Sequence, residues 1–94
     1  MSGPGLLAHF KKHGSDVNAN SVREYDLSAR LTIQNGRAFT YRVRNLNEPR
    51  IGYFDGQTGL FTATSKLGKV TQIHSHFPAT WEELRRLPGF SVMN

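Results

Sequence analysis

Cysteine is absent from this chain of 94 residues, and the sequence contains no long apolar run. Without cysteine, the chain can form neither a disulfide framework nor a metal site built on thiolates. No stretch approaches the roughly 20 apolar residues that cross a membrane. Residues 1–5 also lack the basic and apolar regions of a secretory signal peptide. Their glycine-rich composition predicts a flexible start, typical of a domain that lies within a longer protein, and no membrane contact is expected.

Basic residues outnumber acidic ones, with 12 lysines and arginines against 7 aspartates and glutamates, a net charge of +5 and a pI near 10.1. An excess of this size suits a polyanionic partner such as nucleic acid, or an acidic protein. The same excess also occurs in basic proteins that are simply soluble. The length predicts one small domain, and the six Phe, three Tyr and one Trp should supply most of its core.

Two helices are predicted in the first third of the chain. An apolar stripe with helical spacing covers residues 6–12, and Gly14 is placed to end that helix. The second helix begins at Ser21, whose spacing to Glu24 fits a capping box. Together these elements predict a helical part over residues 6–35.

From residue 38 the apolar period changes to two, which is typical of strands. Four such runs separated by short turns predict a four-stranded antiparallel meander over residues 38–77. Thr80 and Glu83 form a second capping box, which predicts a short helix over residues 80–87. The tail from residue 90 fits either a further edge strand or a frayed end. The predicted fold class is therefore α+β: N-terminal helices packed on a twisted four-stranded antiparallel sheet, followed by a short C-terminal helix, in one domain over residues 1–94.

The last predicted strand, residues 69–77, carries two histidines. In a regular strand His74 and His76 share one face, while Thr71 and Ser75 share the other. The two histidines suit acid and base chemistry, because the unperturbed pKa of histidine lies close to neutral pH. They equally fit exposed strand residues with no role.

Two basic groups lie elsewhere in the chain. Lys11 and Lys12 precede His13 at the end of the first helix, where cations also complement the helix dipole. Arg42 and Arg44 alternate with apolar residues on the first strand, a pattern equally typical of a solvated sheet face. These two groups and the histidine pair of the last strand lie in one small domain, and their convergence favours a functional role.

The side chains present exclude several chemistries. His9 and His13 have the spacing of a helical zinc pair, but Phe10 replaces the glutamate of the His-Glu-x-x-His motif. No third ligand has a clear spacing, so neither a metal nor another cofactor is expected. A Gly-x-Ser-x-Gly elbow and a suitable carboxylate pair are also missing.

Metal-free RNA cleavage remains, because it needs only histidine, cations and hydroxyls. A base removes the proton of the ribose 2′-OH, the oxygen attacks the adjacent phosphorus, and an acid protonates the departing 5′-oxygen. Cations stabilise the charge that develops on the phosphate oxygens.

Several short motifs follow one another along residues 6–78. They are Leu7-x-x-Phe10-Lys11-Lys12-His13-Gly14, then Tyr25 and Ala29 on a helix, Tyr41-Arg42-x-Arg44, Ile51-Gly52-Tyr53-Phe54-Asp55-x-x-Thr58-Gly59-x-Phe61, Gly68-Lys69-Val70-x-x-Ile73 and Ser75-x-Phe77. This ordered set resembles the toxin domains related to colicin D, within the barnase, EndoU, colicin and RelE fold group of antibacterial ribonucleases. Many of those domains lie at the C-terminus of contact-dependent inhibition proteins or of other polymorphic toxins.

The resemblance implies a ribonuclease that cuts tRNA in or near the anticodon loop without metal, leaving a 2′,3′-cyclic phosphate. It implies a site on the concave face of the sheet, a catalytic histidine matching His13 after the two lysines, and a strand hydroxyl matching Ser75, with Thr71 second. It also implies delivery into the cytoplasm of a target cell as part of a larger secreted or surface toxin, and a cognate acidic immunity protein. The family's tryptophan after the hydroxyl is missing, since residue 77 is Phe.

The sequence therefore predicts a metal-free tRNA endonuclease toxin. The predicted catalytic residues are Lys11, Lys12, His13, Thr71, His74, Ser75 and His76, and the predicted phosphate contacts are Arg42, Arg44 and Lys69. A non-catalytic RNA- or DNA-binding module, or a domain that binds an acidic protein, is the alternative. A bulge in the last strand would bring Ser75 and the histidines to one face, but the sequence does not require one.

Overall fold

The computed structural model describes residues 3–43, 45 and 48–93. Arg44, one of the predicted phosphate contacts, lies outside this part of the chain. The fold is α+β, as predicted, with helices followed by an antiparallel sheet and a short C-terminal helix.

Three α-helices form where the capping and apolar patterns place them. They are α1 (Gly3–His13), α2 (Val22–Asn35) and α3 (Trp81–Leu84), with a 3-10 turn at Ser15–Val17 between the first two. Both predicted capping boxes are confirmed, since Ser21 Oγ accepts from Glu24 N at 3.1 Å and Thr80 Oγ1 accepts from Glu83 N at 3.2 Å. Helix α1 begins earlier than predicted, because residues 3–5 are helical, and α3 ends three residues earlier.

The predicted meander forms, and a fifth strand extends it. The strands are β1 (Arg37–Val43), β2 (Glu48–Asp55), β3 (Leu60–Leu67), β4 (Val70–Pro78) and β5 (Ser91–Val92). Their order in the sheet is β4-β3-β2-β1-β5, and every pair is antiparallel. Because β5 pairs with β1, the described tail forms an edge strand. Lys69 lies in the turn before β4 rather than within the strand.

The two faces of the sheet pack against different helices. The face that we call the aromatic face carries Phe39, Tyr41, Phe61 and Ala63, which cluster with Leu84 of α3. The opposite side, which we call the helical face, carries Thr62 and lies against α2, because the Thr62 hydroxyl donates to the carbonyl of Ala29.

A β-bulge interrupts strand β4 at His74. Ala63 of β3 pairs with Ser75, but the next residue, Thr64, pairs with Ile73, so His74 is the extra residue. The regular alternation predicted for this strand is therefore wrong. Ile73 lies on the helical face with His76, whereas Ser75 lies on the aromatic face. One inserted residue thus reverses the order of faces halfway along the strand.

Replacing Gly52 by alanine is expected to lower the free energy of unfolding by about 1–3 kcal/mol, because the added methyl group overpacks the core. A Cβ there would lie 2.5 Å from Phe39 Cζ and 2.8 Å from Phe61 Cε1. Urea unfolding measures the loss. Gly56→Ala is the matched control, since its Cβ would approach nothing closer than 4.0 Å. Equal stability of the two variants would contradict this packing argument.

Candidate functional site

His74 and Ser75 lie side by side on the aromatic face, where the bulge places them. The Nε2 atom of His74 lies 2.7 Å from the Oγ atom of Ser65, the residue that follows Thr64 on strand β3. Ser65 shares the aromatic face with Ala63, because side chains alternate along a strand. A regular strand would have turned His74 away from Ser75. The bulge therefore brings together the imidazole and the hydroxyl that the sequence placed on opposite faces.

A guanidinium group from strand β2 lies near this pair. Arg50 is opposite Tyr41 in the sheet register and next to Ile51, which pairs with Thr64. It contacts Glu48 through two hydrogen bonds, of 3.0 Å from Nη2 and 3.3 Å from Nε, and it also donates to the Tyr41 hydroxyl. Its side chain is only 18 % exposed, so its orientation is fixed by partners on two strands.

Electrostatics link Arg50 to His74. Burial lowers the pKa of His74 below its ordinary value of 6.5, and the positive charge of Arg50 lowers it further, while Glu48 acts in the opposite direction. His74 is therefore mainly neutral at pH 7 and can accept a proton. Burial also raises the pKa of Tyr41, which keeps its hydroxyl protonated.

His13, the last residue of α1, contacts strand β4 at Phe77. Its ring packs against the ring of Phe77 with centroids 5.5 Å apart, and its Nδ1 atom lies 3.4 Å from Asp16 Oδ2. Phe77 is two residues beyond Ser75, a step of about 7 Å along a strand. Ser75 therefore lies between His74 and the Phe77 side chain that contacts His13.

His76 is a core residue. It is fully buried, and its Nε2 atom lies 2.8 Å from Ser28 Oγ. Its Nδ1 atom lies 2.8 Å from Thr62 Oγ1 and 3.1 Å from the carbonyl of Phe61. Burial lowers the pKa of His76 to about 4, so the ring is neutral at pH 7. With no exposed surface and both ring nitrogens engaged, His76 supports the fold rather than a substrate site, and we leave it out of the candidate site.

The other predicted residues fall into two groups. Lys11 and Lys12 are exposed at the end of α1, next to His13. Thr71 lies beyond the bulge on the helical face, where its hydroxyl accepts from Lys66 Nζ at 2.7 Å. Lys69 is six residues from Ser75, roughly 20 Å along an extended strand. The structure therefore places the two lysines beside His13, whereas Thr71 and Lys69 lie away from Ser75.

Arg42 also lies away from His74 and Ser75. It follows Tyr41 on strand β1, so its exposed side chain points to the opposite face of the sheet.

Four residues of this site did not emerge from sequence reasoning: Tyr41 as a site residue, Glu48, Arg50 and Ser65. The only sequence feature that pointed to Arg50 was the alternation of strand β2, which places Arg50 on the same face as Gly52. That face becomes informative only when the pairing of three strands is known.

No significant match to this chain is found among protein-family models, curated proteins or solved structures. Within residues 3–43, 45 and 48–93, no group of three or more histidine and acidic side chains is arranged to hold a metal ion. None of the helices in this part of the chain is both long enough and apolar enough to cross a membrane.

Proposed function

We propose that this chain is a metal-free endoribonuclease toxin domain whose site lies on the aromatic face around His74 and Ser75. One observation carries the proposal: the bulge at His74 sets a neutral imidazole beside two hydroxyls, within the electrostatic reach of a mostly buried guanidinium. These groups are the ones that cleavage by a ribose 2′-OH requires, since the substrate supplies its own nucleophile.

His74 is the proposed general base. A base must be unprotonated at the working pH, and both burial and the charge of Arg50 favour the neutral form of this ring. Its Nε2 atom is held by Ser65, which fixes the ring, and Nδ1, which has no hydrogen-bond partner in the described part of the chain, accepts the proton of the 2′-OH. The alkoxide that forms attacks the adjacent phosphorus, and the proton passes to His74.

Arg50 is the proposed stabiliser of the pentavalent phosphate. The negative charge on its non-bridging oxygens grows in the transition state, and a fixed guanidinium stabilises that charge without reorganising. Glu48 and Tyr41 hold the guanidinium in place. Ser75, which lies between the two ends of the site, donates its hydroxyl to the same phosphate.

His13 is the proposed general acid, which gives a proton to the departing 5′-oxygen. Its Nδ1 atom faces Asp16, and its ring rests on Phe77, so the ring orientation is set from two sides. Lys11 and Lys12, exposed beside it, would contact the phosphates of the departing strand.

The class of RNA and the biological setting rest on the resemblance to the colicin D-related toxins. On that basis we propose tRNA as the substrate, the cytoplasm of a target cell as the place of action and an acidic immunity protein as the partner. The net charge of +5 suits both polyanionic partners.

Incubation of the purified chain with total tRNA in EDTA tests the proposal against its alternatives. Discrete RNA fragments are expected although EDTA removes the divalent metal ions. Intact RNA with salt-dependent retention by the protein would indicate a non-catalytic nucleic-acid-binding module. Intact RNA without retention at low salt would favour a domain that binds an acidic protein.

Arg50→Gln is expected to reduce the rate of RNA cleavage by about 10²–10³-fold, because one preorganised charge on the transition state is lost. Single-turnover cleavage of a defined tRNA measures the effect. Arg86→Gln, a change of the same type at an exposed position after α3, should cleave at the wild-type rate. If both variants lose activity equally, general attraction of RNA explains the effect and the assigned role of Arg50 is wrong.

A further inference from the structure

A cavity of about 490 Å³ lies beside the edge strand β4, between the two N-terminal helices. It is lined by the outer part of β4, by Gly5 and His9 of α1 and by Arg30 of α2. His74 also lines this cavity, although its ring bonds to Ser65 on the aromatic face. The bulged residue therefore joins the cavity to the proposed catalytic site.

The polar groups of the cavity are mostly hydrogen-bond donors. Arg30 uses Nε to contact Asp26 Oδ2 at 2.8 Å, and its side chain is 62 % exposed, so the rest of the guanidinium faces solvent. Thr71 holds the ammonium group of Lys66 at 2.7 Å at the cavity wall. Gln72 adds an exposed amide.

His9 lines the cavity with a ring that favours its neutral form. Burial lowers the pKa of His9, and the neighbouring charges of His13 and Lys12 lower it further. Arg30 is the arginine that lines this concave surface, and Asp26 Oδ2 engages only its Nε atom. The remaining N–H groups of the Arg30 guanidinium can donate to a phosphate group.

We infer that this cavity is a second binding subsite, which takes the phosphate and base of a nucleotide flanking the cleaved position of the RNA. Arg30 binds the flanking phosphate, with Lys66 and Thr71 beside it, and Gln72 contacts the edge of the base. The inference rests on the proposed function for the identity of its ligand. His74 fixes the path of the RNA, because the RNA must run from the aromatic face past His74 into the cavity.

Binding of short 2′-O-methyl RNA tests this subsite without cleavage, because the nucleophilic hydroxyl is blocked. Arg30→Gln is expected to weaken binding of a tetranucleotide about tenfold, the usual effect of losing a charge-assisted contact. It should leave binding of a dinucleotide, which has one internal phosphate, unchanged. Arg23→Gln, on the exposed surface of the same helix, is the matched control and should bind both probes like the wild type.

The inference is overturned if Arg30→Gln binds the tetranucleotide as tightly as the wild type, if Arg23→Gln weakens binding equally, or if neither probe binds the wild type. Cleavage kinetics separate its failure from that of the proposed function. For a cleavable tetranucleotide, Arg30→Gln should raise KM and leave kcat unchanged. Cleavage with an unaffected KM would contradict the subsite but agree with the proposed ribonuclease activity. Specific binding without any cleavage would agree with the subsite but contradict the ribonuclease activity.

Discussion

His74→Ala is expected to reduce RNA cleavage by about 10²–10⁴-fold at neutral pH, the usual contribution of a general base. The variant should remain folded, because His74 is only half-buried and, among the residues that the structure describes, its side chain bonds only to Ser65. Single-turnover cleavage of a defined tRNA gives the rate, and thermal unfolding confirms the fold. Arg86→Gln, at an exposed position with no assigned role in the site, serves as the control for protein preparation.

The pH dependence of cleavage separates the base from the acid. In the wild type, the rate should fall on the acid side as His74 becomes protonated, at a pH below 6.5 because its pKa is lowered. His74→Ala should abolish this acid limb, whereas His13→Ala should slow cleavage and keep it. If His74→Ala retains both the wild-type rate and the acid limb, the base lies elsewhere on the sheet.

Acidification is expected to destabilise the fold through His76. The ring is buried in its neutral form with a pKa of about 4, against about 6.5 in the unfolded chain. A lowered pKa stabilises the fold above pH 6.5, and that contribution is lost as the pH falls towards 4 because the unfolded chain binds the proton more readily. Over this window the free energy of unfolding should drop by about 3 kcal/mol, from a difference of about 2.5 pKa units.

Urea unfolding at several pH values between 7 and about 4 measures this drop. His76→Asn removes the titrating ring while keeping a polar group near Thr62 and the carbonyl of Phe61. The variant should be less stable than the wild type at pH 7 but show a smaller loss on acidification. His74→Ala should keep most of the wild-type slope. A wild-type stability that does not change across this range would contradict the assignment of His76 as a neutral core histidine.

Local patterns were sufficient to predict most of the fold. The Ser21 and Thr80 capping boxes depend on residues three apart, and the change of apolar period at residue 38 depends on near neighbours. Short turns between strands leave few topologies other than a meander. Strand β5 was left open because its two residues carry little periodic signal, and its pairing with β1 depends on residues about 50 positions away.

The candidate site was less predictable, because it depends on one irregularity. The bulge at His74 changes which side chains share a face, and no residue near it signals an extra residue in the ladder. Regular alternation consequently grouped His74 with His76, whereas one lies at the site and the other in the core. Arg50 was missed for a similar reason, since its nearness to His74 comes from the register of three strands.

The end chemistry of RNA after incubation with the purified chain in EDTA tests the central claim most directly. The account predicts fragments with a 2′,3′-cyclic phosphate on one side of the cut and a 5′-hydroxyl on the other, because the 2′-oxygen attacks and the 5′-oxygen departs. The same preparation of His74→Ala should leave the RNA intact. Fragments with a 5′-phosphate, or equal cleavage by the folded His74→Ala variant, would contradict it.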